Sequence, residues 1–140
     1  MTTIFVYGTL KRGFPNYNEQ RLGAFYCGNC TTVERYALVI ADQYYVPVLL
    51  KDNYKTAKEC IAGELYQVDQ QTLKWLDKLE GIGKPKGYQR IEIKVLMASG
   101  ELKTAYAYMK YHKDLDIIHN ELSSHYALDL RYITPANRIR

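Results

Sequence analysis

Cysteine is scarce in this 140-residue chain, and Cys27, Cys30 and Cys60 are the full set. An odd count does not form a disulfide framework. No charged segment precedes an apolar one at the N-terminus, which predicts no signal peptide and a cytosolic address. No apolar run is long enough to cross a bilayer, so no membrane partner is expected. No block of like charge stands out either. The formal excess of +4 is spread along the chain, which gives nucleic-acid binding no support. The three histidines, His112, His119 and His125, lie far from the cysteines, and a zinc site would need a second ligand pair. Neither a Gly-Lys-Ser/Thr phosphate loop nor a Gly-x-Gly-x-x-Gly fingerprint is present. No Ser-His or Cys-His arrangement marks a nucleophile. The chain is thus expected to need no metal and no cofactor.

What is there fits one domain over residues 1–140, with 47% apolar residues to build a core. Fourteen tyrosines are many for this length, and they suit a core, its rim and a pocket. No heptads or long apolar edge point to a dimer, so a monomer is expected. Cys27-Gly28-Asn29-Cys30 reads as a hairpin turn with two free thiols, since a redox motif would need a strand before it and a helix starting at it.

Thr3–Tyr7 reads as a buried strand ending at Gly8. A short helix is predicted over Asn16–Leu22, with Gly23 to end it. Thr31–Val33 and Tyr36–Ile40 follow as a strand or a bent pair. Tyr44–Leu50 is apolar, but Pro47 interrupts it and suggests an edge or a bulge. Asp52–Glu59 is loop-like. Cys60–Val68 alternates as a strand. Asp69 then caps a helix through Leu73, Leu76 and Glu80 that Gly81 is placed to end. After the loop Ile82–Gly87, Tyr88–Met97 alternates cleanly. Ser99-Gly100 turns it back into Leu102–Met109. The spacing of Leu115, Ile118, Leu122 and His125 predicts a helix near Asp116–Tyr126, and the last ten residues read as coil or a short surface strand. Many short strands with one firm helix predict an α+β fold, a small mixed β-barrel with flanking helices.

Two places carry chemistry. Gly8–Gly13 forms a turn with a hydroxyl and two cations, Thr9, Lys11 and Arg12. Consecutive N–H groups in such a turn can cradle an anion, and an ordinary strand-to-loop turn fits the same residues. Glu80 falls on the apolar stripe of its helix, four and seven residues beyond Leu76 and Leu73. It also sits at the helix C-terminus, where the dipole disfavours a negative charge. Both effects raise a carboxyl pKa toward the range of a useful base. A frayed helix end with Glu80 in solvent is the other reading. Glu64 reads as a paired or solvated strand residue, and Asp77 as a partly exposed helix residue.

Tyr7-Gly8-Thr9-Leu10-Lys11-Arg12-Gly13, with Pro15-Asn16-Tyr17, resembles the N-terminal signature of the γ-glutamylcyclotransferase-like superfamily. Gly63–Val68 resembles its central strand. Leu76–Gly81 followed by Tyr88-Gln89-Arg90 resembles its catalytic segment. The likeness spans Ile4–Tyr108, and the form of the first loop is similar to the γ-glutamylamine cyclotransferase (AIG2-like) branch. The resemblance implies that backbone groups of Tyr7, Gly8, Thr9 and Leu10 hold the glutamyl part of a small substrate, and that Glu80 is the catalytic acid/base. It implies that the α-amine of a γ-glutamyl amine, such as γ-glutamyl-ε-lysine, attacks its own γ-carbonyl to give 5-oxoproline and a free amine. Other γ-glutamyl compounds (dipeptides, glutathione, acylated metabolites) fit the same signature, as does a binding module without turnover. Whether the loop amides serve the α-carboxylate or the developing oxyanion is open at this level. Tyr88 and Tyr108 are candidates for the pocket wall, and Arg90 reads as an outward strand residue.

Overall fold

The computed structural model describes residues 1–52, 54 and 59–138. Most of the loop expected over Asp52–Glu59 therefore lies outside the described residues. The elements in order are β1 (Thr2–Val6), α1 (Glu19–Leu22), β2 (Tyr26–Tyr36), β3 (Leu38–Ala41), β4 (Val46–Leu50), β5 (Glu59–Val68), α2 (Gln70–Leu79), β6 (Gln89–Met97), β7 (Leu102–Lys110) and β8 (Ile118–Leu122). Antiparallel pairs β1–β5, β5–β2, β2–β6 and β6–β7 form a ribbon. A parallel pair, β1–β7, closes it into a five-stranded mixed barrel. Beyond β7 the sheet continues through β4, β3 and β8. The α+β barrel expected from the sequence is the fold observed.

The sequence pattern follows from what covers each face. Phe5 points into the barrel with Leu65, Val95 and Ala107. Ile4 and Val6 lie under α2 with Leu73 and Leu76. A strand buried on both faces reads as a continuous apolar run, which is how β1 looks. β6 has one wet face, so it alternates: Ile93, Val95 and Met97 are buried while Arg90, Glu92 and Lys94 are exposed. The Asp69 carboxylate accepts from the Thr72 N–H at 2.8 Å and starts α2 as expected.

Four local expectations are corrected. Cys27–Cys30 is not a hairpin turn but part of β2, where the register shifts between Tyr26 and Gly28. Gly28 at φ +129° supplies the irregularity that the Gly-Asn pair suggested. All three cysteines are free, with Cys30 buried. Residues 116–126 do not form a helix, because Ile118–Leu122 is strand β8 on the edge of β3. A register shift between Ile118 and Asn120 puts Ile118 on the Ala41 face and Leu122 on the Leu38 face, so no strand period shows in the sequence, and the ladder edge of the fully buried β3 selects the strand. Pro47 is not on an edge strand, since β4 lies between β3 and β7. It pairs only with Ile40 of β3, and the β7 pairing begins at Leu49, so its missing N–H falls where one side alone is paired. The first helix begins at Glu19 after the Asn18 cap, later than expected; Gly23 ends it as expected and passes the chain into a 3-10 turn, Gly23–Phe25.

β5 crosses β1 at Gly63. A Cβ there would stand 2.4 Å from the Val6 carbonyl oxygen and 2.6 Å from a Phe5 ring carbon. Gly63→Ala is expected to lower stability by about 1–3 kcal/mol through overpacking, read as a lower urea midpoint at unchanged slope.

Candidate active site

β7 changes its parallel neighbour along its length. It pairs with β1 at Tyr106 and Ala107, then with β4 at Met109 and Lys110. The exchange interrupts both ladders around Tyr108. Tyr7, the residue after β1, repairs the gap with its side chain. Its hydroxyl donates to the Tyr108 carbonyl at 2.6 Å and accepts from the Leu49 N–H at 3.1 Å. Burial raises the Tyr7 pKa far above the usual phenol range, so it stays a neutral hydroxyl. What Tyr7 offers a ligand is therefore its ring and backbone.

A cavity of about 250 Å³ opens at this fork. Tyr7, Gly8, Thr9 and Leu10 line one side, and Glu80 lines it from the end of α2. The structure thus brings Tyr7, Gly8, Thr9, Leu10 and Glu80 to one cavity. Gly8 and Thr9 turn their carbonyls to the Lys11 and Asn16 N–H groups, at 3.1 and 2.9 Å. Among the described residues, the N–H groups of Gly8, Thr9 and Leu10 have no protein acceptor. The two cations of the loop lie elsewhere. Lys11 donates to the Tyr126 carbonyl at 2.8 Å, and the Arg12 guanidinium lies 4.6 Å from the Tyr26 ring centre. Glu64 accepts from the Arg12 N–H at 2.9 Å and from the Tyr66 hydroxyl at 3.0 Å, which is the paired role expected for it.

The end of α2 is tied, not frayed. The Glu80 N–H donates to the Leu76 carbonyl at 2.9 Å, and the Glu80 carbonyl accepts from the Tyr88 N–H at 3.0 Å. Gly81 takes φ +69°, the left-handed conformation that lets the chain turn back, and the Ile82 N–H returns to the Asp77 carbonyl at 3.0 Å. Asp77 does more than solvate the helix. It accepts from the Tyr108 hydroxyl at 2.7 Å and pairs with Arg90 at 3.1 Å, which fixes the last turn of α2 onto β7. Tyr88 lines the cavity with its hydroxyl on the Pro47 carbonyl at 2.7 Å. Burial pushes the Glu80 carboxyl up to about 7, against the pull of Lys110 and Arg138 in the other direction.

Two groups escaped the sequence reading. Lys110, the last residue of β7, is buried in the cavity wall. It follows Tyr106 and Tyr108 on one strand face, so alternation alone predicts an outward residue. The other group is the tail read as surface coil. Tyr132 and Arg138 line the cavity. The Tyr132 hydroxyl accepts from Asn16, which also donates to the Thr9 hydroxyl, at 2.7 and 2.9 Å. Arg138 lies over the rings of Tyr44 and Tyr132 and donates to the Ile133 carbonyl at 3.0 Å. No periodicity marks such a strap, because the contacts that place it run to distant residues, Tyr132 to Asn16 and Arg138 to Tyr44. Among the described residues, no helix is long and apolar enough to cross a membrane.

The sequence model of the family described as gamma-glutamyl cyclotransferase, AIG2-like, matches residues 4–126. The chain belongs to that family. It is 44% identical over 105 residues to a gamma-glutamylaminecyclotransferase of Rattus norvegicus, covering 72% of this chain and 68% of the relative. The corresponding protein of Mus musculus is 43% identical over 107 residues, with the same coverage. Among solved structures, an AIG2-like protein of Mus musculus superimposes with a TM-score of 0.77 at 34% identity, over 99% of both chains. That match runs through the tail, where the first loop and the cavity wall meet.

The raised Glu80 pKa has a cost in stability. The native state holds a proton that the unfolded chain has released between about pH 4.5 and 7. Stability contributed by the neutral acid is therefore complete below that window and lost as pH rises through it. Glu80→Gln, neutral throughout, is expected to match the wild type at pH 4 and to exceed it at pH 8.5 by up to about 3 kcal/mol, measured by urea unfolding at the two pH values.

Proposed function

We propose that the cavity cyclises γ-glutamyl amines, such as γ-glutamyl-ε-lysine, to 5-oxoproline and the free amine. The observation that carries this reading is a carboxyl with a pKa of about 7, Glu80, facing a loop whose Gly8–Leu10 N–H groups have no described protein acceptor. The names of the rat and mouse relatives support the same activity.

The chemistry needs one acid/base and a fold that holds the substrate curled. The α-ammonium of a γ-glutamyl group sits beside its own carboxylate and ionises above the peptide N-terminal range of about 7.7–8, so the raised pKa of Glu80 narrows the gap that proton transfer has to cross. Glu80 takes a proton from the α-ammonium. The amine then attacks the γ-carbonyl of the same molecule and a five-membered ring closes. As the C–N bond to the leaving group breaks, Glu80 returns its proton to the departing nitrogen, and the carboxylate so regenerated takes the second proton of the ring nitrogen and passes it to the free amine. Well-oriented ring closure reaches effective molarities on the order of 10⁵ M or more, so an enzyme nucleophile is not required. Tyr7, Gly8, Thr9 and Leu10 hold the glutamyl part through their backbone.

Release of 5-oxoproline from γ-glutamyl-ε-lysine, γ-glutamyl-alanine and glutathione tests the reading, and the lysine conjugate is expected to lead. Glu80→Gln should fold and lose 10²–10⁴-fold in turnover. Wild-type kcat/KM should fall about tenfold per pH unit below about 7, where Glu80 is protonated, and the residual activity of Glu80→Gln should lack that limb. Unchanged turnover in the variant removes Glu80 from the mechanism. Binding of 5-oxoproline with no turnover of any of the three substrates makes the protein a binding module.

A further inference from the structure

Lys110 is 8% exposed, at the end of a strand whose next face is the cavity. Its ammonium stands 4.5 Å above the Tyr88 ring. Among the described residues it makes no hydrogen bond and no ion pair. The nearest candidate, Asp42, directs Oδ1 to the N–H groups of Asp116 and Ile117, at 2.7 and 3.1 Å. Burial lowers the Lys110 pKa, opposed by Asp42, Glu80 and Asp114 and aided by Arg138. A cation held largely out of water with no ionic partner among the described residues is costly, and an anion in the cavity that Lys110 lines offsets that cost. Arg138, partly buried in the same wall, adds a second positive charge.

We propose that Lys110, supported by Arg138, receives the α-carboxylate of the γ-glutamyl group, which leaves the Gly8–Leu10 amides for the oxygen of the attacked carbonyl. The assignment rests on Glu80 as the group that meets the α-ammonium. Ammonium and carboxylate share one carbon atom, so a carboxylate must settle within a few ångströms of the ammonium. Lys110 and Arg138 are the two cations whose charge acts on Glu80. The division also suits the two anions. A full charge present from the start is matched by a full countercharge. A charge that develops only during reaction is best met by fixed neutral dipoles, which bind the ground state weakly. A bound carboxylate offsets the two cations that hold the Glu80 pKa down, so the base gains strength once substrate is seated.

The test compares two lactams by calorimetry: 5-oxoproline and 2-pyrrolidinone, the same ring without the carboxylate. Wild-type protein is expected to prefer 5-oxoproline strongly. Lys110→Met, which keeps the packing on Tyr88, should lose roughly 10–100-fold in affinity for 5-oxoproline and nothing for 2-pyrrolidinone. Lys110→Arg should retain most of the preference. In turnover, Lys110→Met should raise KM for a γ-glutamyl amide and not for the 4-aminobutanoyl amide of the same amine, while any change in kcat that follows from the altered charge beside Glu80 should be shared by the two. Equal losses for both lactams, or a wild type that binds the two alike, overturn the proposal, and the wild-type comparison stands even if a variant fails to fold. Carboxylate-dependent binding without turnover overturns the cyclotransferase reading and leaves the subsite in place.

Discussion

One phenol holds the site's geometry in place. Where β7 leaves β1 and takes up β4, the Tyr108 carbonyl and the Leu49 N–H face a gap in the ladder. The Tyr7 hydroxyl fills both valences at once. A buried carbonyl and a buried amide left without partners would cost about 1–3 kcal/mol each. The same ring then fixes where Gly8 begins, because the loop leaves the barrel directly after it. Loop position, strand exchange and cavity are consequences of a single satisfied gap. A crevice at the place where parallel strands change neighbours is a recurrent way to make room for a ligand.

The charges around the cavity are set by burial more than by pairing. Glu80 lies against two cations yet titrates near neutrality, since loss of water outweighs their attraction. Lys110 is perturbed in the opposite direction for the same reason. Burial keeps Tyr7, Tyr88 and Tyr108 of the wall neutral, and their hydroxyls are held by a carbonyl, a carbonyl and the Asp77 carboxylate respectively. The ionisable acids and bases of the wall are thus Glu80, Lys110, Arg138 and Asp42, the last tied to the backbone amides of Asp116 and Ile117.

Much of this could be read in the chain beforehand, for identifiable reasons. β1, β5, β6 and α2 carry patterns with a period, and a period survives whatever else the fold does. Glu80 stood out because a carboxylate interrupts such a pattern. Its setting could not be read: a frayed end and a tied end have the same sequence, and the tie comes from Tyr88 and from the turn at Gly81. Lys110 and Arg138 were missed because neither breaks a local rule. Each becomes unusual only through what covers it, the cavity wall for one and the strap from Tyr132 onward for the other. Ile118–Leu122 was misread because a register shift within β8 puts its two apolar residues on opposite faces and erases the strand period, so that a neighbouring strand edge decides its structure. The Cys27–Cys30 segment was misread for a related reason, since Gly-Asn marks a bulge as well as a turn.

The bond from Tyr7 to the Tyr108 carbonyl joins residues 101 positions apart. The β1–β7 pairing that closes the barrel, Ile4 with Tyr106 and Phe5 with Ala107, is as long-range. Contacts of this kind demand that a long stretch of chain be organised before they are rewarded, and they slow folding toward the millisecond-to-second range of non-local β topologies. The β6–β7 hairpin is local and can form early. β1 has to find β7 across the whole of it. The cavity exists only after that last closure, so partly folded forms of this chain would carry a hairpin and a helix but no pocket. Ligands that fill the cavity act on this late step alone. They should slow unfolding far more than they speed folding.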